Sequence, residues 1–168
     1  MSLSMYTASS PQFVRILKNL SAIVGKAAAH AEQHKIDPTA LLGARLYPNM
    51  FPFTRQIQIA CDTAKGAAAR LAGIEIPKHE DTEQTFSDLL ARIDKVIAFV
   101  ESVPAEKIEG SADRKVVLPL RGNEVTFTGQ QFLVTWALPN FYFHVTTAYD
   151  ILRHNGIELG KRDYIGNF

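Results

Sequence analysis

The chain has 168 residues, of which 46% are hydrophobic and 21% charged, and its 18 basic and 17 acidic residues leave a net charge of +1. That length suits one domain with a core of its own, and the charge balance excludes the one-sided excess that a nucleic-acid footprint or an acidic tail requires. With Cys61 alone no intramolecular disulfide can form, so a reducing, cytoplasmic setting is expected.

The N-terminal stretch MSLSMYTASSPQF lacks both a basic start and a continuous apolar run. No later segment approaches the roughly 18 apolar residues of a membrane span, so the chain reads as soluble and untargeted, with no membrane partner. Ser9 and Ser10 are capping candidates ahead of Pro11. Phe13, Leu17, Leu20, Val24, Ala27 and Ala31 then recur at three- and four-residue steps, predicting a first long helix to about Lys35. Asp37-Pro38 restarts a short helical turn, DPTALLGARL.

After Pro48 and Pro52 a second long helix is predicted from about Phe53, with the inner stripe Phe53, Ile57, Ala60, Ala64, Ala67, Ala68 and Leu71, and Gly73 as its end. Its alanine-rich half admits a neighbouring helix at close range. The third long helix is predicted to start at DTEQTF, with Asp81 or Thr82 as cap and Gln84 reaching back. Its stripe is Phe86, Leu89, Leu90, Ile93, Val96, Ile97 and Val100.

The period then changes. KVVLPLRGNEVTF places β-branched residues on both sides of Gly122-Asn123 and reads as a hairpin with a tight turn, Pro119 marking an edge strand. TGQQFLVTWALP is a short helical approach that Pro139 breaks or kinks ahead of a fourth long helix, which ends at Gly156, and the tail IELGKRDYIGNF reads as irregular and solvated. Four amphipathic helices without regular βα alternation predict an all-α four-helix bundle with a small β-hairpin between helices three and four, forming one domain over residues 1–168.

Sites in such bundles are built from inward-facing side chains. At 100° per residue, Phe141, Val145, Ala148 and Leu152 fix the buried direction of the last helix, with His144 inside it and Asn140 on its flank. Asp150, Arg153 and His154 fall on the far side. On the second helix Gln56 and Thr63 sit at the edge of the stripe, while Arg55 and Asp62 point away. His144 is either a core histidine satisfied by Asn140, Tyr142 or a buried water, or a ligand or catalytic group.

The first helix carries HAEQH, in which His30 and His34 have the i,i+4 spacing that lets two imidazoles share a zinc ion; His34 is placed near the inner stripe and His30 beside it. Glu32 projects outward, so this is not an HExxH site, and a helix end suited to protonated histidine explains the pair as well. Cys61 reads as a small buried hydrophobe and His79 as a loop residue with no evident partner. The aromatic residues Phe132, Trp136, Phe141, Tyr142, Phe143 and Tyr149 read as core and interface, because no basic groove accompanies them.

The stretch LPNFYFHVTTAYDILRHNG…LGKRDYIG, together with RQIQIACDTAKGAAARLAG, resembles over nearly the full length an uncharacterised domain-of-unknown-function family of bacterial proteins within the DinB/YfiT-like metalloenzyme superfamily. The resemblance implies an up-down-down-up bundle, often a homodimer. In metal-binding members three histidines hold a divalent ion such as Ni or Zn, one from the second helix and two from an H-x-x-x-H pair near the start of the last. Characterised relatives include thiol transferases and maleylpyruvate isomerase.

Carried over, His144 matches the second histidine of that pair, Asn140 stands at the first position, and Gln56 or a neighbour stands where the second helix would supply its histidine. A tightly bound transition ion needs about three nitrogen, sulfur or carboxylate ligands. One imidazole with two amides falls short, so no tightly bound metal is expected unless His34 completes the set. The sequence therefore predicts a protein with a degenerate metal site that binds a small molecule, or associates as a dimer, around Gln56, Asn140 and His144. The alternative is a metal-dependent, transferase-like enzyme with a thiol cofactor that uses His144.

Overall fold

The computed structural model describes residues 3–120 and 122–167. It is mostly helical, with one two-stranded antiparallel sheet. Four long helices, α1 (Ser10–His34), α3 (Phe53–Ala72), α4 (Phe86–Ser102) and α7 (Leu138–His154), share a single apolar core. Short helices α2 (Pro38–Leu42) and α5 (Ala105–Glu109) follow α1 and α4. Strands β1 (Lys115–Leu120) and β2 (Asn123–Thr128) lead through the short α6 (Gly129–Gln131) toward α7, and α8 (Lys161–Ile165) ends the chain.

Helix α3 is the centre of the packing, lying against α4, α7, α1 and α5. It is buried on more sides than one stripe predicts: Gln56, Gln58, Lys65, Gly66 and Ala69 are enclosed along with the predicted alanines. The small side chains make this enclosure sterically feasible, since each neighbour meets little more than a methyl group. Gly73 closes α3 at φ 67°, the left-handed conformation that a glycine tolerates without cost.

Several local expectations are corrected. Ser9 does not cap α1 with its side chain; its hydroxyl donates instead to the Met5 carbonyl at 2.6 Å. Helix α4 begins later than DTEQTF suggested, at a capping box in which Thr85 Oγ1 accepts from Asp88 N–H and Asp88 accepts from Thr85 N–H. Asp81 is drawn instead into ion pairs with Arg55 and Arg92. In the hairpin Leu120 faces Asn123, so Asn123 already belongs to the strand, and Gly122 takes the positive φ of 81°.

Pro139 does not break the helix. Residues Phe132–Ala137 form a π-helical segment that runs straight into α7, with Leu138 N–H donating to the Leu133 carbonyl five residues back. A proline one residue later has no N–H to place, and the widened turn accommodates that loss. The tail is not irregular either. Helix α8 docks on α1, where Arg15 and Asn19 donate to the Ile165 and Tyr164 carbonyls at 2.6 and 2.9 Å and Lys26 pairs with Asp163 at 2.7 Å. Among the described residues, no helix is long and apolar enough to cross a membrane.

Candidate functional site around His144

His144 lies on the α3-facing side of α7 and is 8% exposed. Its partner is neither Asn140 nor Tyr142 but a side chain from the facing helix: Nδ1 lies 2.6 Å from Gln56 Oε1. Gln56 is itself fixed, because its Nε2 donates to the Phe51 carbonyl at 3.0 Å. A carbonyl oxygen can only accept, so the amide nitrogen must face Phe51 and the amide oxygen must face the imidazole. Nδ1 therefore carries the proton, and Nε2 is left with its lone pair.

Burial, assisted by the positive charge of Arg55, pushes the His144 imidazole down to about 4. The ring is neutral at physiological pH. Because the folded value lies below the unfolded one of about 6.5, the unfolded chain takes up this proton first as pH falls. The stabilisation is therefore complete above about pH 6.5 and is lost between there and about pH 4. It amounts to something on the order of 2 kcal/mol once partial solvent contact of the ring is allowed for. Urea unfolding at about pH 7.5 and 4.5 should show the wild type losing about that much more stability than His144→Phe; equal losses would contradict the assignment.

Asn140, one turn before His144, is half-buried and does not touch Gln56. Its Nδ2 donates to Thr63 Oγ1 at 2.8 Å, and Thr63 in turn donates to the Ile59 carbonyl at 2.8 Å. The structure thus brings Gln56 and His144 into direct contact and sets Asn140 beside them on a separate bond to α3. Phe143 packs edge-on against the His144 ring with centroids 5.2 Å apart, and Phe51 lies under the Arg55 guanidinium. Both phenylalanines are more than half exposed.

The donor set does not fit the ion that the superfamily resemblance implies. With Nδ1 of His144 donating to an amide oxygen, Nε2 is the one imidazole nitrogen on offer there, and among the described residues no three His, Cys, Asp or Glu side chains converge to hold a metal. His34 does not complete the set: it is exposed, its ring lies 4.3 Å from that of His30, and the pair lines a groove of about 660 Å³ against residues 157–160. The expectation that His34 faces inward is thereby corrected. Cys61 is fully buried and desolvation pushes its thiol up to about 12, which suits a packing residue and not a nucleophile.

Sequence reasoning missed a polar cluster on the other side of α3. Arg92 on α4, with its side chain 2% exposed, reaches Asp62 at 2.9 Å, Asp81 at 3.0 Å and Glu83 at 2.8 Å, and donates to the Glu80 carbonyl at 3.1 Å. Lys65, equally enclosed, pairs with Asp62 at 2.9 Å. The signal was present, since Arg92 falls between Leu89 and Val96 on the inner side of α4. His79 lines the cleft of about 380 Å³ beside this cluster, and desolvation together with the charges of Lys65, Lys95 and Arg92 lowers its pKa.

The helical architecture with its one small antiparallel hairpin is that of a DinB-like domain. The crystal structure of a DinB family member protein from Shewanella denitrificans superposes with a TM-score of 0.90 and 44% identity, covering 97% of this chain and 92% of that one. Residues 5–165 match the Domain of unknown function (DUF1993) family, and the chain belongs to it. No curated protein matches the chain.

Proposed function

We propose that this chain is a DinB/YfiT-like four-helix bundle with a degenerate metal site, working as a cytoplasmic small-molecule-binding or homodimeric interaction protein around Gln56, Asn140 and His144. The observation that carries the reading is the Gln56–His144 bond. It sets a glutamine of α3 against the imidazole, in the stretch where the resemblance implies a ligand histidine, and occupies one imidazole nitrogen, leaving the other for a guest. The exposed side chains of Phe51 and Phe143 beside it, with Leu46 and Tyr47 on the α2–α3 connection, offer apolar surface for a ligand or a second copy.

A metal-dependent transferase is the weaker reading, because its ion would have to rely on His144 Nε2 and amide oxygens. A metal-free general base is disfavoured as well, since an imidazole titrating near 4 abstracts protons poorly at neutral pH. Elemental analysis of untagged protein decides the main point. Nickel, zinc and iron are expected well below stoichiometric amounts, with a thermal midpoint unchanged by chelator; one equivalent of any of them would reverse the conclusion. Light scattering is expected to return a dimer at micromolar concentration, and a monomer would leave small-molecule binding alone.

A further inference from the structure

We propose that the guest at His144 is a neutral molecule that donates a hydrogen bond, an O–H or N–H group carried on an aromatic or aliphatic body, with Nε2 as its acceptor. The proposal rests on the binding reading above and names its ligand class. The chain of donors begins at the backbone: the Phe51 carbonyl fixes the Gln56 amide, the amide oxygen fixes the proton on Nδ1, and the lone pair is left on Nε2. No described residue bonds Nε2, and it is not among the buried polar atoms sealed from solvent without a partner.

A carboxylate or phosphate would set acceptor against acceptor there. Arg55 does not supply the missing donor at Nε2, since its Nη1 bonds Asp81 and Gln58 Oε1. A cationic guest would meet the positive charge of Arg55, which already acts on the imidazole. The apolar body has its place against Phe143, edge-on to the imidazole, and Phe51, whose carbonyl starts the chain; these rings are 57% and 55% exposed. Asn140 Oδ1, free of bonds among the described residues, is a second acceptor for a second donor group.

Three probes of nearly one shape separate the cases: phenol, which donates; anisole, which does not; and benzoate, which is anionic. Long-range 1H–15N spectra of the whole chain report the His144 tautomer before and during titration. The expected result is an Nδ1–H tautomer, a saturable shift of Nε2 with phenol, and at least about ten-fold weaker response to anisole and benzoate, as loss of one hydrogen bond predicts. Phenol should also raise the thermal midpoint of the wild type and not of His144→Phe. An Nε2–H tautomer, or anisole or benzoate binding as well as phenol, would overturn the inference while leaving a ligand-binding role intact. An Nδ1–H tautomer with no saturable response to any probe would overturn both.

Discussion

Phe141→Ala is expected to lower the unfolding free energy by about 4 kcal/mol, the cost of emptying a fully enclosed aromatic site whose walls relax only in part. Phe141 meets Phe13 edge-to-face at 4.9 Å, so this contact ties the first turn of α7 to the first turn of α1 across the core. Deleting both rings should cost less than the sum of the single deletions, with a coupling of about 1 kcal/mol. Phe143→Ala, two positions along and mostly exposed, should cost below about 1 kcal/mol. Urea denaturation of the four variants against the wild type checks the set; similar losses at 141 and 143 would mean that α7 faces the core differently.

Arg92→Ala is expected to cost about 3 kcal/mol, because Glu83, nearly buried, the half-buried Asp62 and the exposed Asp81 would lose their shared counter-charge. The guanidinium also ties the 80–83 segment, through the Glu80 carbonyl and the Glu83 carboxylate, to α3 through Asp62. Arg92→Lys should recover only a minor part, since one ammonium cannot reach four acceptors in a planar fork. Because the arginine is enclosed, added salt should weaken the effect little. A thermal midpoint for Arg92→Ala within a degree of wild type would show that the cluster is held by solvent instead.

The long helices were legible because their apolar residues recur at helical spacing: Phe13 to Ala31, Phe53 to Leu71 and Phe86 to Val100 are all at or near the core, and Gly73 and Lys35 end their helices in left-handed conformations. The resemblance also led to the right family, and His144 and Gln56 were placed on facing sides. What one helix at a time could not show was their contact. The 2.6 Å bond joins residues 88 positions apart, and helical angles order side chains around one axis without fixing the neighbour's register.

The same limit hid the cluster at Arg92, whose partners come from α3 and a loop. Thr85 displaced Asp81 and Thr82 as the cap because Asp81 had stronger bonds to make with two arginines. The C-terminal KRDYI helix was illegible for another reason. Five residues show no period, and their order comes from docking on α1 and from the Tyr164 hydroxyl receiving a bond from Thr146 at 3.0 Å.

The π-helical stretch between Phe132 and Ala137 amounts to one surplus residue wound into an otherwise continuous rod. Removing one amino acid there, such as the outward-facing Val134, would restore ordinary winding, and because five residues at about 100° each turn as far as six in the wider winding, everything downstream would keep its facing. The widened stretch thus absorbs its surplus residue where it enters, and the azimuth at which the imidazole meets its glutamine tolerates a single codon gained or lost there.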